Sequence, residues 1–351
     1  MTGTANIAPA LTGGLVWAGA DLPRDAGHLS LGAEALAELE DAGSLLADNP
    51  LPILPLDPRD FSLTACRAVM ARARALLDGG PGFAILDRLP VEAHGREVAT
   101  KLYWLLARLL ARPVAQKWDG TMVYDVRDMG RPPGNGVRPD ITNAEQNFHV
   151  DNSYNICPPD YVALFCHQVA MEGGVSGLVS FHAAHNAMRL RHPDLLARLY
   201  RPFIFDRQRE HAPGAAMTLR RPIFEWCDGR LLGRISRFQI VNGHVLAQEA
   251  LDKEGATALE AFNAIMDAEN LRHDFVFQPG QEQIVLHAHA PQHRPVAVEG
   301  RRRFHVRQHL SYLQPSLCPA DNPGRARIAR PVDRREPADV AQDSDANEQL
   351  R

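Results

Sequence analysis

The chain has 351 residues, 45% hydrophobic and 23% charged, which excludes a wholly disordered protein and allows one large domain or two smaller ones. A formal net charge of −4 argues against a broad basic footprint for nucleic acid, and no apolar run of about 18 residues predicts a membrane span. The five cysteines are scattered without a CxxC pair and the N-terminus lacks a secretory pattern, so a cytoplasmic protein without a zinc ribbon is expected.

Residues 1–50 read as an N-terminal arm with a helical stretch near Glu34–Gly43. After Pro52, Pro55 and Pro58, apolar residues at helical spacing predict a helix over Leu63–Leu77, ending at Gly79-Gly80. Gly82–Leu89 is a short apolar run bounded by Gly and Pro, so a buried strand, and Val91–Leu110 reads as a second helix. Pro132–Gly136 forms a loop of the kind that moves over a site. From about residue 146 short apolar or alternating runs recur: Tyr161–Val169, Leu178–Ala183, Phe203–Phe205, Arg230–Ile235, Asp274–Phe277, Gln283–Leu286 and Phe304–Leu313. That texture is the pattern of an all-β sandwich or jelly roll. Helical inserts are expected at Ala183–Leu199 and Lys253–Ala268. The stretch 51–318 reads as a single domain with its core strands mostly in 80–90 and 146–315, and 319–351 as a disordered tail.

The sharpest local feature is Asn147-Phe148-His149-Val150-Asp151-Asn152. On a strand, His149 and Asp151 point to one face and can donate to one metal ion. Downstream, LHAHAPQHR brings His287, His289 and His293. Any one of them completes a set of two histidines and one carboxylate, the facial arrangement of non-haem Fe(II) oxygenases. Strand alternation puts all three on one face, and Pro291 allows a bend, so spacing leaves the choice open. Then comes RRRFHVRQHL, where Arg303 and Arg307 share a strand face. Guanidinium groups there can clamp a dicarboxylate, although a basic strand edge also guards against aggregation.

Together, HxD, a Gly-Gly-x-Ser, a distal His and RRxxxR resemble the Fe(II)/2-oxoglutarate-dependent dioxygenases of the taurine dioxygenase-like (TauD/TfdA) family, over roughly residues 80–315. The resemblance implies a double-stranded β-helix (jelly roll, cupin-like) core with flanking helices, in fold-class terms mainly β with helices (α+β). It implies iron ligands at His149, Asp151 and, position for position, His293. Ser176 in Gly173-Gly174-Val175-Ser176 matches the hydroxyl that bonds the far carboxylate of 2-oxoglutarate. Arg303 matches the anchoring arginine, with Arg307 assisting. The family's Gly-Asp and Asn-Asn before the last ligand are Gly280-Gln281 and His287-Ala288 here.

The implied cofactor is Fe(II), with 2-oxoglutarate and O2 as co-substrates. The implied substrate is a small molecule such as an amino acid derivative, a carboxylate or a natural-product intermediate. Retention of Asp151 argues for hydroxylation and against halogenation; desaturation or cyclisation starts from the same oxidant. A hydrolase or isomerase using the triad as a Lewis acid has no need of the Ser176/Arg303 pair. A non-catalytic metal-binding jelly roll is a third reading. For substrate, the candidates are Asn152, Ser153, Tyr154 and Arg237, the last in strand-like texture, with Arg207 and Arg209 behind them. Trp118 and Tyr124 read as core packing, Cys157 and Cys166 as small buried hydrophobes, and His182, His185, His192, His305 and His309 as outside the metal site. A homo-oligomer is compatible with the sequence.

Overall fold

A computed structural model describes residues 6–132, 137, 141–142, 146–155, 158–170, 173–227, 229–286, 292–294 and 306–312, the last two stretches as backbone. These fall in one compact unit, Met1–Ser316. Cys157, His287, His289, Arg303, His305, most of the loop at 132–136 and the expected tail at 319–351 lie outside the described residues.

Strand β1 (His28–Ser30) leads into helix α1 (Gly32–Asp48). Ala35, Leu39, Ala42 and Leu46 recur at three- and four-residue steps and form its buried face. Helix α2 (Thr64–Gly79) buries Cys66, Val69, Met70, Ala73 and Leu77 in the same way. No capping side chain precedes α2; the Glu38 carboxylate of α1 accepts the Ala65 and Cys66 amides at 2.8 and 2.9 Å instead. Burial pushes the Glu38 carboxyl up, but these amide donors outweigh it and hold it below its ordinary range. Strand β2 (Phe83–Asp87) follows, and helix α3 (Val91–Leu110) has the expected bounds. Gly95 (φ 72°, ψ 176°) breaks its first turn in a conformation that costs little only without a Cβ.

The edge strands β3 (Pro113–Val114) and β4 (Val123–Val126) precede β5 (Gln146–His149), β6 (Tyr161–Gln168) and β7 (Val175–Val179). The strand expected over Leu178–Ala183 therefore ends early. Ser180 accepts the Ala183 amide and starts α4 (Phe181–Arg191). The single helix expected over Ala183–Leu199 is two: Pro193 cannot continue α4 and instead opens α5 (Pro193–Leu199). Strands β8 (Phe203–Asp206) and β9 (Thr218–Arg221) form one hairpin, and β10 (Phe224–Cys227) and β11 (Arg230–Gly233) another. Arg237 opens a helix, α6 (Arg237–Leu246), correcting its strand-like reading. Ser236 caps that helix by accepting the Gln239 amide. Gly243 lets it lie against β8, since a Cβ there would stand 2.2 Å from the Ile204 carbonyl oxygen. Helix α7 (Lys253–Met266) and strands β12 (Arg272–Val276), β13 (Glu282–Leu286), β14 (Gln292–Arg294) and β15 (Val306–Tyr312) complete the described chain.

The strands form a seven-stranded sheet, ordered β1-β2-β13-β6-β15-β3 with β4 also on β15, and a four-stranded sheet ordered β12-β7-β14-β5. One face of the large sheet presents Ala84, Leu86, Ala163, Phe165 and Ile284 to α1, α2 and α3. The other face presents Phe83, Ile85, Val162 and Val285, which cluster with Leu178 of the small sheet and Trp17. A third cluster joins α4–α7 and the hairpins, and takes in Phe148, Val150 and Tyr154. Trp118, expected in the core, is 59% exposed, and the Trp118 amide bonds Glu210. Cys66 and Cys166 are buried thiols, whereas Cys227 is disulfide-bonded, contrary to what is expected of a cytoplasmic protein. Among the described residues no helix is long and apolar enough to cross a membrane.

Candidate active site

Strand β5 and the turn after it carry the HxD motif. Alternation buries Phe148 and Val150 against the third cluster and leaves His149 and Asp151 partly accessible. His149 donates from Nδ1 to the Asn147 carbonyl at 2.8 Å, because a carbonyl can only accept. That leaves Nε2 with its lone pair in the neutral ring, 3.3 Å from Asp151 Oδ1. An imidazole lone pair facing a carboxylate oxygen needs a cation between or beside them, whether a proton or a metal. Two donor atoms each about 2.1 Å from one ion at a right angle are roughly 3 Å apart, so the pair fits one coordination edge. Among the described residues no group of three His, Cys, Asp or Glu converges.

The backbone of β14 runs between β5 and β7. Gln292 stands in register with His149 and with Leu178, and His293 with Gly177. The register then shifts, so that Arg294 meets Gln146. Thus His293 lies on the strand beside His149, one residue from direct opposition, at an irregularity where strand parity changes. Ser176 is on β7, buried, directly across from Phe275 of β12. On β15, Arg307 is in register with Cys166 and Val126.

The turn 151–155 is held from behind by residues the sequence did not single out. Arg234, 8% exposed and just after β11, donates to the Ser153 and Asn155 carbonyls at 3.2 and 3.1 Å. Its other branch reaches Glu225 at 3.4 Å. Ser153 donates to Gln239 Oε1 of α6 at 2.7 Å, and the Val150 amide to the Ile235 carbonyl at 2.8 Å. Asn152 sits at φ 52°, which Asn tolerates, and accepts from the Tyr154 hydroxyl at 3.1 Å. Ser153 and Tyr154 are fully buried, so they serve the turn rather than line an open mouth. The signal for Arg234 was an arginine inside the apolar run LLGRIS. Arg237 lies exposed at the first turn of α6.

Other candidates fall elsewhere. Cys166 packs with Leu164 and Phe277. His182 and His185 are buried in α4, where burial pushes both down to about 4, and His185 Nε2 is 2.8 Å from the Tyr200 hydroxyl. Arg207 donates to the Ala216 carbonyl.

Residues 51–309 match the family model described as taurine catabolism dioxygenase TauD, TfdA family. The chain is 27% identical over 253 residues to the FR-33289 synthase of Streptomyces rubellomurinus, covering 71% of this chain and 73% of that protein. It resembles solved structures of asparagine oxygenase, one in complex with Fe(II), 2S,3S-3-hydroxyasparagine and succinate (TM-score 0.60, 18% identity, 82% of this chain and 93% of that one). It also resembles the non-heme iron oxygenase OrfP in complex with Fe, succinate and (3S)-hydroxy-L-Arg (TM-score 0.56, 14% identity, 82% and 94%). At these identities the two structures speak for the fold.

Proposed function

The chain belongs to the TauD, TfdA family of dioxygenases and is an Fe(II)/2-oxoglutarate-dependent oxygenase, and from that premise we propose that it hydroxylates a small amino acid or amino acid derivative at the HxD turn. The observation that carries the site is the His149 Nε2–Asp151 Oδ1 pair, with Nδ1 already committed to a carbonyl. His149, Asp151 and His293 hold the iron; the backbone of β14 runs beside β5 and leaves His293 one residue from His149, next to the register shift between the two strands. Ser176 and Arg303 hold the far carboxylate of 2-oxoglutarate, with Arg307 assisting. A double-stranded β-helix, formed by the two larger sheets, is the frame, and the unit that holds it takes in β1 and α1 of the expected N-terminal arm as well.

An Fe(II) ion held there would supply the coupling of O2 to two two-electron oxidations, of 2-oxoglutarate to succinate and carbon dioxide and of a substrate C–H bond to an alcohol, one oxygen atom going to each product. The protein's part is positional. The Asn147 carbonyl fixes the His149 tautomer so that Nε2 faces the ion. Arg234 and Gln239 fix the turn that carries Asp151. Ser176 and Arg303 orient the co-substrate through charge-assisted hydrogen bonds. Arg237, exposed beside that turn, receives a carboxylate of the substrate. The 3-hydroxyasparagine held by the asparagine oxygenase and the (3S)-hydroxy-L-Arg held by OrfP support an amino acid substrate.

The test is an anaerobic absorption titration of apoprotein with Fe(II) and then 2-oxoglutarate. A metal-to-ligand charge-transfer band is expected in the wild type, absent in Asp151→Ala and His293→Ala, and weakened in affinity by Arg303→Ala. A band that survives His293→Ala but not His289→Ala moves the third ligand. No band at all, with iron bound, removes 2-oxoglutarate from the site.

A further inference from the structure

Strand β13 lies between β2 and β6, so both of its edges are paired, and its two faces pack against the helices and toward the small sheet. Gln283 stands in register with Ile85 on one side and Leu164 on the other. Residues directly opposed in a ladder share a face. Gln283 therefore shares the face of Ile85 and Val285, which is the face turned toward the small sheet. It is 1% exposed, and its Nε2 has no hydrogen-bond partner. A buried amide donor left unmade costs about 1–3 kcal/mol, and native proteins keep few of them.

The position of this donor is bracketed by two apolar clusters. One step along β13, Val285 clusters with Leu178 of β7. In the other direction, the Leu164 opposite Gln283 clusters with Cys166 and Phe277, against which Phe275 packs. Phe275 stands directly across from Ser176, and Ser176 is one pleat step from Leu178. Gln283 and Ser176 thus occupy matching levels of the two facing sheets. Facing sheets are about 10 Å apart, so one carboxylate between them can meet a side-chain donor from each sheet.

We propose that Gln283 is a binding residue for the co-substrate, donating from Nε2 to the carboxylate of 2-oxoglutarate that Ser176 also meets. The inference rests on the assignment of Ser176 to that carboxylate. It explains why an amide without a partner is kept between the two sheets. The cost is carried by the empty protein and removed when an anionic acceptor arrives. A hydrogen bond to a charged acceptor is also the strong kind, so its loss reads directly in affinity.

The experiment compares wild type with Gln283→Leu and with Gln283→Met, which keeps the unbranched length. Two quantities are read on the full-length protein: the melting temperature without metal or co-substrate, and the anaerobic dissociation constants for Fe(II) and then 2-oxoglutarate. The expected result has opposite signs. The apoprotein melts no lower than wild type, Fe(II) affinity is unchanged, and 2-oxoglutarate binds about tenfold more weakly. An unchanged 2-oxoglutarate constant overturns the inference. So does a lower melting temperature with unchanged affinity, which assigns the donor to an internal water. A wild type that binds iron but shows no 2-oxoglutarate band overturns the co-substrate reading as well. A band sensitive to Ser176→Ala but not to either Gln283 variant overturns only the role of Gln283.

Discussion

The two faces of the large sheet do different jobs. Toward the helices, Ala84, Leu86, Ala163, Phe165 and Ile284 pack against α1, α2 and α3, and Tyr103 stacks on Phe165 at 5.3 Å. Toward the small sheet, apolar side chains alternate with polar ones, and Ser176, Gln283 and His273 are all buried there. His273 Nε2, like Gln283 Nε2, has no hydrogen-bond partner. Apolar packing asks only for volume, so the helix face can be filled completely. A face that receives a polar ligand must keep donors unmatched until the ligand comes.

The largest expected effects separate the faces outright. Phe165→Ala should cost about 3–5 kcal/mol of stability in denaturant titration, with per-molecule co-substrate affinity preserved in the folded fraction. Asp151→Ala should do the reverse, abolishing succinate release at little cost in melting temperature. If Phe165→Ala weakens 2-oxoglutarate binding as much as it weakens the fold, the two faces are not separable. Next in size, Arg234→Met should lower Fe(II) affinity by about 10–100-fold, since it frees the turn that carries Asp151. Unchanged iron affinity would mean that β5 alone positions the carboxylate.

The smallest effect concerns the exception on the helix face. Glu282 is fully buried, stands opposite Leu86 and Phe165, and neither carboxyl oxygen has a partner. Burial raises its pKa well above the ordinary value by favouring the neutral carboxyl in the folded protein. The unfolded chain ionises near the ordinary value, so stability is full below that pH and falls as pH rises toward the folded pKa. Glu282→Leu should therefore gain about 1–3 kcal/mol at neutral pH, with a smaller gain near pH 4. A gain independent of pH would show that ionisation is not the cost.

Much of this was readable in advance where one period dominates. Val91–Leu110 has its expected bounds because its apolar residues recur around a helix without a competing pattern. The HxD strand was legible because alternation separates Phe148 and Val150 from His149 and Asp151. Helix α6 was not. Phe238, Ile240, Val241 and Val245 have strand texture, and the Ser236 cap and the Gly243 approach to β8 decide for helix. Gln283 was invisible for a different reason. In Gln281-Glu282-Gln283-Ile284 polar residues fall on both faces, and only the insertion of β13 between β2 and β6 assigns each one a neighbourhood. Nor does spacing choose among His287, His289 and His293, since a single register shift changes which residue meets His149.

The central place of β13 bears on how the protein is made. Phe83 of β2 waits for Val285, roughly two hundred residues later in synthesis, and β6 waits for the same strand. Until then both strands present open edges, the kind that pair with neighbouring chains. A nascent chain that stops short of Glu282 is thus not a smaller protein: β2 has only β1 beside it, and β6, β3 and β4 have no strand neighbour until β13 and β15 arrive. The slow step of folding is expected at the arrival of this one late segment.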